Sequence, residues 1–222
     1  MSTAAQSAPT GDIVEVRPRR TQTERRDGTT RKLLEATIES ILDVGYAATT
    51  VRSVAKRAGV SPGARSHLFP RRIDLVVATL EYLCADRLSA AQAGIDGLSI
   101  QGPARLSGFL DLMWQDYTSD TFVVGMKLWA AAADDAELHA RLQPTMAALN
   151  ASLLQLYGEA IGSELANIPN VSMRMSMVHD LLLGHAFSRT FAPLPLTPKL
   201  SDWPKTRAEL LRLVLGDQTS SS

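Results

Sequence analysis

The side chains with the most distinctive chemistry are basic and lie close together. Residues 47–75 hold Arg52, Lys56, Arg57, Arg65, Arg71 and Arg72 against one acid, Asp74. Guanidinium and ammonium groups at that density neutralise phosphates, and the arginine fork also fits the edge of guanine. Residues 1–75 carry 13 basic and 8 acidic side chains, while residues 76–222 carry 10 and 15, so a net charge of zero conceals a basic front and an acidic rear. That division points to nucleic acid at one end and a different task at the other. Of twelve aromatic residues only Tyr46 and Phe69 precede residue 76, which is too few to stack successive bases and argues against single-strand binding.

The elements that must position these cations read as helices. From Thr30, the residues Leu34, Ile38, Ile41 and Leu42 follow one buried helical face, and Gly45 stands where a C-cap belongs. Thr49-Thr50 offers an N-cap to a short helix through Val51, Val54, Ala55 and Ala58, ended by Gly59. Ser61 caps a second short helix with Pro62 at its first position, and Pro70 breaks it before a longer helix that the spacing carries to about Leu88. Two short helices around a turn, here Ala58-Gly59-Val60-Ser61, form a helix-turn-helix whose second helix enters the major groove.

The remainder keeps the helical period. Leu106, Phe109, Leu110, Met113 and Tyr117 make one stripe, and Phe122, Met126, Trp129 and Ala130 the next. Leu138, Leu142, Met146, Leu149, Leu153 and Leu156 continue it across Pro144, which is expected to kink or restart the helix. Met173, Met177, Leu181 and His185 lie on a segment apolar nearly all round, so both faces should be buried. A final helix is expected over residues 202–215. The fold class is therefore all-α. The expected organisation is a disordered arm at 1–26, a helix-turn-helix domain at 27–75, and an effector-binding and dimerisation domain at 76–222. Arg17-Pro18-Arg19-Arg20 in the arm suits a minor groove, although charged runs are more often simply solvated.

The run Thr49-Thr50-Val51-Arg52-Ser53-Val54-Ala55-Lys56-Arg57-Ala58-Gly59-Val60-Ser61-Pro62-Gly63, followed by Phe69-Pro70, Arg72 and Leu75, resembles the DNA-binding head of the tetracycline-repressor (TetR) family. Ala36, Ile41 and Gly45-Tyr46 fit its leading helix, and the likeness covers about residues 29–80. The resemblance implies a homodimeric regulator, usually a repressor, that binds a palindromic double-stranded operator and is released by a small molecule. It puts Thr50 and Arg52 at phosphate and base edges, Ser61, Pro62, Ala64, Ser66 and His67 on the recognition helix, and Arg71 and Arg72 on phosphate. Two residues depart from the family pattern: Ser66 replaces a phosphate-contacting Tyr, and Arg65 occupies a usually apolar position. Helical spacing offers Val60, Ala64 and Leu68 as the inward face of that helix, with Pro62, Arg65 and Ser66 outward. The family pattern instead turns 65 and 69 inward.

In the acidic rear, Phe109, Met113, Trp114, Tyr117, Met126, Trp129, Met146, Met173 and Met177 are the candidates to line a cavity for a mostly apolar effector, although such stripes more often form core. His179 and His185 are expected on a buried face. Phosphate-loop, nucleophile-elbow and His-Glu-x-x-His patterns do not occur, and no cofactor, metal or catalytic residue is expected. The single Cys84 cannot form an internal disulfide, no apolar run approaches the ~18 residues of a membrane span, and a cytoplasmic chain without a membrane partner is expected. The rival reading is a helical small-molecule-binding or protein-interaction module that has lost specific DNA binding, and Ser66 favours it. Duplex binding that weakens steeply with salt separates the two.

Overall fold

Thr21 opens the first helix. Its hydroxyl accepts from the Glu24 N–H at 3.2 Å while its own N–H donates to the Glu24 carboxylate at 2.8 Å, and this reciprocal cap starts α1 (Gln22–Ala48). The computed structural model describes residues 21–98, 103–165, 168–191 and 202–216. The helix thus begins before Thr30, and residues 22–26 belong to it and not to an arm, because a polar cap initiates a helix without any apolar period. Residues 1–20, with Arg17-Pro18-Arg19-Arg20, lie outside the described residues. Gly45, at φ 78° and ψ 169°, interrupts α1 instead of ending it.

Thr50 caps α2 (Val51–Arg57) by accepting from the Ser53 N–H at 3.1 Å, and Ser61 caps α3 (Pro62–Leu68) by accepting from Ala64 at 3.3 Å. Between them Gly59 takes φ 64°, the left-handed turn the sequence requires there. Next, α4 (Arg72–Asp96) runs well past Leu88. Gly94 lies inside it, and a Cβ there would stand 2.6 Å from Leu112 Cδ2, so the bare glycine admits a close approach by α5 (Pro103–Tyr117). Then come α6 (Asp120–Ala132), α7 (Ala136–Leu165), which continues through Pro144, α8 (Val171–Phe191) and α9 (Trp203–Leu215), with Asp202 as its N-cap. The described residues form nine helices and no strand, an all-α fold.

Three apolar clusters hold these helices. Leu33, Leu34, Val51, Val54, Ala55, Phe69 and Leu75 unite α1, α2, the α3 end and the start of α4. Ile41, Val76, Leu80, Leu128 and Leu142 unite the rear of α1 with α4, α6 and α7. Leu106, Leu110, Val178, Leu182, Leu210 and Val214 unite α5, α8 and α9. Wholly buried leucines such as Leu33 and Leu182 each contribute roughly 1.5–3 kcal/mol. Helices α1 and α4 enter both of the first two clusters, so the front is joined to the rear bundle along two helices and not through a hinge.

Candidate nucleic-acid interface

The turn between α2 and α3 leaves the outer faces of both helices open. Thr50, Arg52, Lys56, Ser61, Pro62, Ala64, Ser66 and His67 are all exposed, while Val51, Val54 and Ala55 pack inward. The two registers possible for α3 resolve in favour of the family pattern: Phe69 is buried and Arg65 half-buried, whereas Ala64 is exposed instead of facing the core. The reason is Phe69, whose ring joins the Leu33–Val54–Leu75 cluster and rotates α3 to bring itself inward. Ser66 Oγ donates to the Pro62 carbonyl at 3.0 Å, and Arg65 Nη2 donates to Ser66 Oγ at 3.0 Å, so two polar side chains fold back on their own helix.

Several cations expected on phosphate already have partners. Arg72 does not point outward. Its guanidinium lies 3.8 Å from the centroid of the Tyr46 ring and donates to the Tyr46 carbonyl, while its Nε is buried without a hydrogen-bond partner. The interrupted end of α1 supplies both the aromatic face and a carbonyl, which also accepts from the Thr49 N–H at 3.1 Å, and this corrects the expected phosphate role. Arg71 pairs with Glu137 of α7 at 2.5 Å and Arg57 with Asp43 at 2.6 Å; these exposed pairs are worth little energetically but position the side chains. Thr49, read in the sequence only as part of a cap, is buried. It donates to the Gly45 carbonyl at 2.8 Å and shares a hydrogen bond with Ser40 at 3.0 Å, which fixes where α2 begins.

Residues 33–79, which span this helix-turn-helix, match the family described as bacterial regulatory proteins, tetR family. That segment is the DNA-binding region of the tetR family of bacterial regulatory proteins. CymR of Pseudomonas putida, an HTH-type transcriptional regulator, is 33% identical over 58% of this chain; that alignment spans 63% of CymR, less than two thirds of its length. An uncharacterised HTH-type transcriptional regulator of Mycobacterium tuberculosis is 28% identical over 79% of this chain and 90% of its own. The crystal structure of the multidrug binding protein EbrR complexed with ethidium shares the fold, with a TM-score of 0.57 at 21% identity, over 83% of this chain and 98% of that one.

The nine candidate effector residues do not converge. Phe109, Met113 and Tyr117 are buried with Trp114 and Met126 around the α5–α8–α9 core, whereas Met146 packs in the other bundle cluster. Trp129 of α6 is 43% exposed, and Met173 and Met177 are 54% and 49% exposed, because α8 buries Val178, Leu182 and Ala186, packs Met175 beside them, and turns these two methionines away. The described interior is also not purely apolar. Arg87 of α4 grips Asp116 of α5 through two hydrogen bonds, at 2.9 and 2.6 Å, beneath the Phe122 ring. A cleft of about 70 Å³ opens between α5, α6 and α8, lined by Tyr117, Thr118, Val123, Ala186, Arg189 and Thr190. Tyr117 also hydrogen-bonds through its hydroxyl to His179 Nδ1, and burial pushes its own pKa far up; His179 itself is exposed. No described helix is long and apolar enough to cross a membrane.

His185 is half-buried, stacked on Trp114 at 5.0 Å, and Trp114 stacks in turn on Trp203 of α9 at 4.5 Å. Burial, and then the charge of Arg189, lower its pKa from 6.5. The unfolded chain therefore binds a proton here more readily than the folded one. This group's contribution to stability is present above pH 6.5 and falls away as pH drops through 6.5 toward the lower folded value. His185→Phe, which keeps a stacked ring, should flatten the fall in melting temperature between about pH 7 and about pH 5.5, measured by thermal melts. An unchanged slope would show that other groups titrate there.

Proposed function

We propose that this protein is a one-component transcriptional repressor that binds a palindromic duplex operator as a homodimer and leaves it when a small molecule enters the rear bundle. On this reading residues 27–75 are the reading head and residues 76–222 the effector and dimerisation part. The observation that carries it is the open α2–α3 face, where Arg52 and Lys56 are exposed with no acidic partner among the described residues. Arg52, one residue after the Thr50 cap, is assigned to a base edge or phosphate, and Thr50 to phosphate. Ser61, Pro62, Ala64, Ser66 and His67 present a small, polar surface able to lie close in the major groove. Arg71 reaches phosphate only by leaving Glu137.

An outward apolar stripe on α8 supports the dimer: Met173, Met177, Leu181, Phe187 and Phe191 are all exposed, opposite the face that α8 buries. Ethidium bound to the similarly folded EbrR supports a small-molecule effector. The α5–α6–α8 cleft is its assigned entry, and Arg189, Thr118 and Thr190 favour a ligand with polar groups over a wholly apolar one. Its volume is well below the ~300–1,000 Å³ of ligand pockets, so an effector of ordinary size must spread α6 from α8.

Selection of bound duplexes from a random pool tests the reading. Inverted repeats with half-sites about one helical turn or more apart should emerge, bound more weakly as salt rises. Arg52→Ala should lose about 1–3 kcal/mol of discrimination at one base pair of each half-site. Selected sites without a dyad, or binding indifferent to salt, would sink the proposal.

A further inference from the structure

The broken end of α1 is held by cations from two different helices of the bundle. Lys127 of α6 donates from Nζ to the carbonyls of Ile41 at 3.2 Å and Leu42 at 3.0 Å. Arg72, at the start of α4, donates to the carbonyl of Tyr46 and stacks on its ring. Gly45 ends the regular part of α1 between these two grips, and the last carbonyls of a helix lack partners within it and carry its negative pole. An ammonium is suited to that place because its three N–H donors can take two carbonyls at once.

Position along the chain makes Lys127 more than a cap. One helical turn before it, Val123 lines the α5–α6–α8 cleft, while Val124 and Leu128 on either side are wholly buried in the bundle. On the other side of the grip, the end of α1 leads through buried Thr49 to Thr50, the cap of α2. A shift of α6 at Val123 therefore moves Nζ, the Ile41 and Leu42 carbonyls, and then the first residue of the helix-turn-helix. The Thr49 bonds to Gly45 and Ser40 stiffen that last step.

We propose that Lys127 is the positioning residue that passes the state of the cleft to the DNA-reading helices, by holding the interrupted end of α1 in register with α6. This rests on the regulatory reading above, and the test reads the two separately. Val123→Phe serves as the probe, a permanent wedge in the cleft, in place of any ligand. In the parent chain the wedge should weaken binding to the selected operator about tenfold, and raise amide hydrogen exchange at residues 50–57. With Lys127→Met, which keeps the aliphatic stem and loses the donors, the wedge should change operator affinity less than about twofold and leave that exchange unmoved. Lys127→Arg, which can still donate, should restore both responses. If Lys127→Met does not fold, Lys127→Gln replaces it with the same expectations. A wedge that acts equally with and without Lys127, or acts on neither measurement in the parent, overturns the proposal. If the parent binds no duplex, the regulatory reading fails, while hydrogen exchange still decides whether Lys127 transmits the wedge.

Discussion

Asp116→Asn will destabilise the protein by about 3 kcal/mol or more, lowering the melting temperature by roughly 10 °C. The side chains of Arg87 and Asp116 are only 12% and 19% exposed, and they join α4 to α5 through two hydrogen bonds. Burial alone would lower the Arg87 pKa, but the hydrogen bonds and charge of Asp116 outweigh it and the guanidinium stays charged. Asparagine preserves the shape and removes the counter-charge, leaving a cation over Phe122 with poor access to water. The comparison that isolates the charge is the double variant Arg87→Met, Asp116→Leu. Replacing a buried pair by apolar groups of similar volume is often neutral, so this variant should melt close to the parent. An Asp116→Asn protein melting within about 1 °C of the parent would mean that Arg87 escapes to solvent or another acceptor.

On the proposed α8 dimer, Met177→Glu combined with Leu181→Glu will leave only monomers of unchanged helical content at micromolar concentration. Both residues face solvent, at 49% and 41% exposure, so carboxylates there cost the isolated subunit little. Across a two-fold axis each charge would meet its own copy or desolvate in an apolar interface, and two substitutions per subunit become four per dimer. Operator affinity should fall by a hundredfold or more, on the order expected when two linked heads become separate binders. Analytical ultracentrifugation and operator titration check the two halves of this expectation. A variant that still sediments as the parent does would place any self-association elsewhere than on α8.

Features that depend on near neighbours in the chain are legible in the sequence. Thr50 and Ser61 cap α2 and α3 because a hydroxyl reaches the N–H two or three residues on, and Gly59 turns left-handed because no Cβ obstructs it. The helical period marked out the buried stripes of α5 and α7, and the clustered charge with the Thr49–Leu75 motif pointed to duplex DNA. At the Thr21–Glu24 cap, polar chemistry starts a helix that an apolar period does not reveal.

What tertiary structure decided is which partner each long side chain takes, since that depends on residues tens of positions away. Arg72 reads as a phosphate ligand until the Gly45 break brings the Tyr46 ring and carbonyl beneath it. Trp129, Met173 and Met177 have the composition of a pocket, yet a helix with two apolar faces does not reveal which one turns inward. Val178, Leu182 and Ala186 take the interior of α8 because α5 and α9 approach from that side, and Met173 and Met177 are left for another surface. Arg87 finds Asp116, and Lys127 finds the carbonyls of Ile41 and Leu42, only once α4, α5, α6 and α1 have packed. A hydrogen bond or ion pair needs its atoms within about 3 Å, and helical periodicity fixes a residue's angle on its own helix without fixing which helix lies opposite.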